Sequence, residues 1–375
     1  MQPTASGRAT PSTQHATTLV IEPVERNVMF VAIRELRRAR GRFALITLVV
    51  VLVTVLVTFL GGLTAGLRHQ NVSALNALPG SQIVFAANGT DPSYDRSALD
   101  PASISGWQAS GAEVTEVGIS RNQATTHQHS DPFQVALFGI SGAARNPAPG
   151  TVFVSSPAAA ELGVSPGQTV SLGNREFRVA NTVGDLWYAH TPVVYLALSD
   201  WQQLSPNSGA ATVLAVNPAP GTDVGALAKA TRTTSMSTSD SLAALPSYNA
   251  ENTSLTLMTL MLLAISALVI GAFFLVWAIQ RIPDTAVLKA LGAPTAKLAV
   301  DALGQAGIVL VGGSLIGISV TIGAGGLLGS IPFVLSTSTV LWPATAIVLL
   351  GLAGAALSLR YVVTTDPLTA LGSTR

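Results

Sequence analysis

Between Leu255 and Leu303 the chain runs through an apolar stretch, a short charged segment and a second apolar stretch. Leu255 to Ile279 carries no charged residue and is rich in Leu, Ala, Val and Ile. As a helix rising about 1.5 Å per residue, it is long enough to cross a hydrocarbon layer of roughly 30 Å. It stops at Gln280-Arg281-Ile282-Pro283-Asp284, and a second uncharged run begins at Ala302. The residues between, Thr285 to Ala293, make one short helix closed by Gly292 and Pro294. A helix that short, tied at both ends to membrane spans, lies at a membrane face and presents a knob to whatever waits there.

Charged residues make up 10% of the 375, against roughly 25% in ordinary soluble domains. The net charge of +1 gives no field that would attract nucleic acid. With no cysteine, disulfides, thiolate nucleophiles and cysteine metal sites are excluded. Residues 1–27 are rich in Ser, Thr, Pro and Gln and read as a disordered tail. Residues 28–42 read as a basic amphipathic helix lying in the cytoplasmic interface, with Met29, Phe30, Ile33 and Leu36 at helical spacing. The uncharged runs then place spans at 43–67, 253–280, 301–329 and 339–361. A cytoplasmic loop at 281–300, a short external loop at 330–338 and a cytoplasmic C-terminus at 362–375 join and end them. Arg34, Arg37, Arg38, Arg40 and Arg42 precede the first span, and Arg281, Lys289, Lys297, Arg360 and Arg375 fall on the same side. Excess positive charge marks the cytoplasmic face, so both termini are expected inside.

One large external domain, 68–252, is thereby inserted between the first two spans. Alternating apolar patterns predict strands at Ser81–Ala87, Glu113–Ser120, Phe133–Ile140, Thr169–Leu172, Glu176–Thr182, Pro192–Ala197 and Thr212–Val216. Short helices are expected at Ser156–Leu162, Asp200–Leu204 and Val224–Thr231. The Ser/Thr-rich run Thr233–Ser247 reads as a flexible return to the membrane. The fold class is therefore a four-span helical membrane protein with an inserted extracellular α+β domain.

Motifs for chemistry are scarce. No phosphate-binding G-x-x-x-x-G-K-[ST] loop occurs, so this chain is not expected to bind ATP through a P-loop. No H-E-x-x-H or G-x-S-x-G is present. His127 and His129 share one strand face but lack a third ligand, and read as a solvated pair. His69 follows the first span, where an interfacial histidine commonly has no role. Trp187, Tyr188 and His190 form a polar-aromatic cluster whose default reading is domain packing.

The order of elements resembles the MacB/FtsX/LolC-type permeases of ABC transporters. The segment Arg281-Ile-Pro-Asp284-Thr-Ala-Val-Leu-Lys289-Ala-Leu-Gly292-Ala is similar to the family's cytoplasmic signature. Ser156-Pro-Ala-Ala-Ala-Glu161-Leu-Gly163, with Gly167-Gln-Thr-Val170, resembles a recurrent piece of the external domain, and Asp366-Pro367-Leu-Thr-Ala370-Leu371 the C-terminal ending. The resemblance implies a homodimer joined to two copies of a separate ABC ATPase subunit, which holds ATP and Mg. It implies no intrinsic cofactor in this chain, contact with membrane lipid and not nucleic acid, and motion passed through the short helix. Arg281, Asp284, Lys289 and Gly292 are then the ATPase-coupling residues.

Within that family the compact external domain resembles the haem exporter permeases of the HrtB and DevC types. So do Phe30-Val-Ala-Ile-Arg34-Glu35-Leu-Arg37-Arg38 and Leu67-Arg-His-Gln-Asn71-Val-Ser-Ala-Leu75-Asn-Ala-Leu78. This resemblance implies haem as the transported substrate, taken laterally from the plasma membrane of a Gram-positive or actinobacterial cell. Glu251, the acidic residue beside a span on the external side, is the candidate axial ligand for haem iron. Its alternative role is to complement the dipole of the second span's N-terminus, worth roughly 0.3–1 kcal/mol. Met258, Met261 and Phe59 are candidate pocket residues. Two other functions fit the same architecture: export of another amphiphile such as a glycolipid or peptide, and an FtsX-like transducer that activates a cell-wall hydrolase without transport. An exposed apolar groove on the external domain would favour the transducer.

Overall fold

The computed structural model describes residues 40–127, 131–142, 146–205, 209–327 and 331–364. The expected tail, nearly all of the interfacial helix, His129, most of the C-terminus and the side chain of Asp284 lie outside what it describes.

In chain order the elements are α1 (Arg40–Asn76), β1 (Gln82–Ala86), α2 (Pro101–Ala109), β2 (Glu113–Thr125), β3 (Phe133–Ile140), β4 (Thr151–Ser155) and α3 (Ser156–Leu162). There follow β5 (Thr169–Leu172), β6 (Arg175–Val183), β7 (Trp187–Tyr188), β8 (Thr191–Ala197), α4 (Leu198–Leu204), β9 (Val213–Asn217), α5 (Val224–Ala230) and β10 (Thr233–Ser237). The chain returns to the bundle through α6 (Thr238–Ser241) and a 3-10 turn at Leu242–Ala244. It finishes with α7 (Pro246–Gln280), α8 (Ile282–Ala290), α9 (Thr295–Gly325) and α10 (Thr337–Thr364). Four of these helices, α1, α7, α9 and α10, are long and apolar enough to cross a membrane.

Helices α1 and α7 outrun the bilayer. At 37 and 35 residues they reach about 55 Å, far beyond the roughly 30 Å of hydrocarbon. Residues near Asn71 and Glu251, read from the sequence as domain, are helical rods rising out of the bundle. The α1 rod ends in the domain core: Val72, Leu75 and Leu78 are buried with Phe85, Tyr94, Phe138, Tyr188 and Tyr195 on one face of the sheet.

The strand order is β10-β1-β9-β2-β3-β8-β4-β6-β5, with β7 paired to β8. Strand β2 continues past Ser120 to Thr125, where Ala124 and Thr125 pair with Leu172 and Ser171 of β5. That pairing curls β2, β3, β8, β4, β6 and β5 round a second core of Phe177, Leu162, Val152 and Trp201. Gly118 and Gly139 lie under the Trp201 indole, where a Cβ would sit 2.3 and 2.4 Å from its atoms. A third core of Trp107, Ile104, Leu99 and Val216 backs the other end of the sheet under α2.

The return segment corrects the expectation of flexibility. Thr233–Ser237 is edge strand β10, antiparallel to β1 with Met236 opposite Ile83. Its hydroxyls are used locally: Ser235 Oγ–H donates to Gln82 Oε1 at 3.1 Å, and Thr233 Oγ1 accepts from Trp107 Nε1–H at 3.0 Å. Thr is a good strand former on a half-buried surface, so composition misled where pairing decided. Helix α2 was missed, although Asp100 caps it by accepting from the Ser103 N–H at 2.7 Å and Pro101 starts it.

In the bundle α1 packs closely on α9 through small residues. A Cβ at Gly313 would meet Val50 at 2.8 Å, and one at Gly317 would meet Thr54 at 2.7 Å. Thr58 and Thr321 join hydroxyls at 2.8 Å between them. Small residues let helix backbones approach in lipid, and hydroxyl pairs tie them.

The junction of bundle and domain as candidate functional site

The charged and polar groups around the outer ends of α1 and α7 converge on one hairpin of the domain. Glu251 stands six residues into α7, a turn and a half beyond its start, so a helix-end dipole has faded there. Its carboxylate instead receives a hydrogen bond from Asn71 Nδ2 of α1 at 3.0 Å. His190 Nε2 lies 2.9 Å from Oε1 and 3.1 Å from Oε2. Ser247 Oγ–H donates to Asn71 Oδ1 at 2.9 Å and so orients the amide. The His190 and Glu251 side chains are 33% and 38% exposed. One step nearer the membrane, Arg68 donates to Asn252 Oδ1. His69 Nε2 lies 3.1 Å from Asp185 Oδ2 and 2.9 Å from its main-chain oxygen.

His190 was overlooked as a partner of Glu251 because 61 positions separate them. Only the curl of β8 back to the membrane helices brings them together. Tyr188 does what the sequence reading assigned to its cluster. It is buried, its ring meets Phe138 and Tyr94 at 5.5 and 6.4 Å, and burial pushes its hydroxyl pKa up. The His127 ring sits 3.9 Å from Glu176 with both exposed, and among the described residues no three metal-ligating side chains gather.

Met258 and Met261 lie about two and three turns below Glu251 on α7 and are 54% and 58% exposed. With Ile265 and Leu268 they form an apolar face left largely open among the described residues. Phe59 stands elsewhere: its ring meets Phe333 of the α9–α10 loop at 5.3 Å, and Phe333 in turn fills the space beside Gly62 and Gly325. The structure therefore aligns Glu251 with the two methionines and sets Phe59 in bundle packing.

On the sheet face beside the end of α1 lie two adjoining clefts. One, of about 580 Å³, is lined by Phe153, Val183, Leu186 and Tyr195. The other, of about 410 Å³, is lined by Leu78, Glu113, Ile140 and Tyr195.

At the opposite end of the bundle, α8 is closed by Gly292 at φ 88°, a left-handed cap that glycine fills without strain. The Ala293 N–H returns to the Leu288 oxygen at 3.0 Å. Val287, Leu288 and Leu291 are exposed, Leu291 by 79%, while Ala286 is buried against the bundle. Lys289 is half-buried in the last turn. Arg281 turns toward the bundle. Its guanidinium lies 5.0 Å over the Trp277 ring, and Nη1–H donates to Gln305 Oε1 of α9 at 2.7 Å. Gln305, fully buried, passes a bond to Asp301 Oδ2 at 3.0 Å. Arg281→Ala should cost about 2 kcal/mol, the usual worth of a hydrogen bond to a charged group, and leave ATPase association intact. Denaturation of the purified chain together with co-purification decides it. Unchanged stability with lost association would place Arg281 at the partner.

Four membrane-length helices, a domain inserted after the first, and a short capped helix between the second and third define a polytopic permease. The MacB-like periplasmic core domain family model matches residues 43–234, and the FtsX-like permease C-terminal model matches 256–367. The chain belongs to the MacB/FtsX-type permeases of ABC transporters. A "Putative hemin transport system permease protein HrtB" of Staphylococcus haemolyticus is 26% identical over 92% of this chain and 99% of its own length. An "Uncharacterized ABC transporter permease" of Mycobacterium tuberculosis is 23% identical over the same shares. The periplasmic region of MacB from Actinobacillus actinomycetemcomitans covers 46% of this chain and 94% of its own, at 16% identity and a TM-score of 0.33.

Proposed function

We propose that this chain is the permease subunit of an ABC exporter that takes haem from the membrane and expels it, driven by a separate ATPase subunit. The observation that carries the cargo class is likeness along 99% of a relative named for hemin transport. The geometry supports it. Glu251 and His190 offer an oxygen and a nitrogen donor for haem iron, both among the familiar ligand types. They stand directly above the uncovered apolar face of Met258 and Met261, where a flat amphiphile arriving from lipid would rest. Leu45, Leu48, Leu52 and Leu56 form a second exposed stripe on α1. A second copy of the chain would cover both faces and enclose the cargo. Val287, Leu288 and Leu291 form the knob that docks in the ATPase, with Asp284 and Lys289 setting its orientation. Both termini lie in the cytoplasm and the inserted domain outside.

The test is ATP hydrolysis by the reconstituted permease and ATPase. Haemin should raise the rate saturably, and iron-free protoporphyrin should raise it less, because iron coordination adds to ring burial. A rate indifferent to haemin would contradict the reading. The two clefts on the sheet face favour a second reading, a transducer whose partner hydrolase binds there. That reading expects hydrolysis to respond to the partner hydrolase and not to haemin.

A further inference from the structure

The hairpin between β7 and β8 carries a backbone conformation its sequence does not favour. Ala189 and His190 form its two-residue turn with φ of 45° and 60°, the pattern of a type I′ turn that Asn-Gly normally fills. Side chains with a Cβ are strained there, and such outliers persist where their surroundings over-determine them. Here the surroundings are the two membrane helices. The N–H groups of Ala189 and His190 donate to the main-chain oxygens of Asn71 and Gln70 on α1, each at 2.9 Å. Trp187 N–H donates to Ser73 Oγ of α1 at 2.8 Å, and Asp185 accepts from Trp187 Nε1–H at 2.6 Å while facing His69 of α1. On the other flank the polar contact of His190 with Glu251 reaches α7. Behind the turn, Trp187 and Tyr188 pair with Pro192 and Thr191 of β8, and β8 runs between β3 and β4 in the sheet.

We propose that the hairpin 185–191 is the strut through which movement of α1 relative to α7 is delivered to the inserted sheet, with His69, Asp185 and His190 as positioning residues. Bound to α1 by several main-chain and side-chain bonds, the hairpin travels with that helix. The half-exposed His190–Glu251 contact is the one that slides as α7 moves. The strain in the turn fits this role, since relaxing it would let the hairpin bend instead of transmitting. The inference rests on reading the chain as an ATP-driven permease.

The chain has no cysteine, so Ser105→Cys on α2 and Thr253→Cys on α7 give a unique spin-label pair. Labelled permease, diluted with unlabelled chain and assembled with its ATPase in nanodiscs, is measured before and after trapping with ATP and vanadate. No haem is present, so cargo binding plays no part. Trapping should shift the distance in the parent chain. In His69→Ala with Asp185→Ala the shift should collapse into the width of the distribution while vanadate is still trapped. Ala189→Gly, which relaxes the turn and removes only a methyl and no hydrogen-bonding side chain, should blunt it likewise. A full shift in both variants overturns the strut, as does a trapped parent chain with no shift. A parent complex that traps no nucleotide overturns the functional reading and the strut with it.

Discussion

Gly66→Val should disrupt the membrane bundle far more than the same substitution at Gly312. A Cβ on Gly66 would lie 2.0 Å from the Pro332 oxygen, 2.3 Å from its carbonyl carbon and 2.8 Å from the Phe333 nitrogen. These are main-chain atoms and cannot rotate aside, so either α1 or the α9–α10 loop must move. Overpacking in cores costs about 1–3 kcal/mol, and a main-chain obstacle puts this site at the upper end, about 3 kcal/mol. The same loop is tied to α1 by Val334 N–H to the Gly62 oxygen at 3.1 Å, a bond the displacement would break. Denaturation of the detergent-purified chain measures the effect, with Gly312→Val as control because a Cβ there meets nothing within 4 Å. Equal stability of the two variants would mean that the loop does not seat on α1.

Glu251→Ala should weaken haem retention at least about 10-fold and leave assembly intact. Second-shell groups around a metal are worth roughly 10–100-fold in affinity, so a direct ligand should cost at least that. The substitution also frees His190 from its carboxylate partner. Some residual binding through His190 is therefore expected, and His190→Ala added to it should remove the remainder. The helix itself loses little, since Glu251 lies beyond the first turn, where carboxylates complement the dipole. If the single variant bound haemin as tightly as the parent chain, Glu251 would have no ligand role.

Local signals made the architecture readable. Uncharged runs longer than a bilayer is thick can be little else, and the period-2 patterns at Phe133–Ile140 and Thr169–Leu172 became strands with those bounds. Glu251 stood out because a carboxylate beside a span is costly wherever it lies. What stayed hidden was pairing at a distance. His190 meets Glu251 only through the fold of β8, and Arg281 turns inward because Gln305, 24 positions on, offers it a buried amide. The rods of α1 and α7 were cut short in the sequence reading because polar residues such as Asn71 and Asn249 end a hydropathy run without ending a helix. The Thr233–Ser247 segment failed for the opposite reason. Its hydroxyls look like linker chemistry until β1 supplies the ladder they join.

The most direct measurement is a haemin titration of the purified permease with its ATPase, followed by absorbance. A saturable shift of the haem band is expected, with its midpoint moved at least about 10-fold higher in haemin by Glu251→Ala. The absence of any saturable shift in the parent complex would contradict haem as the cargo.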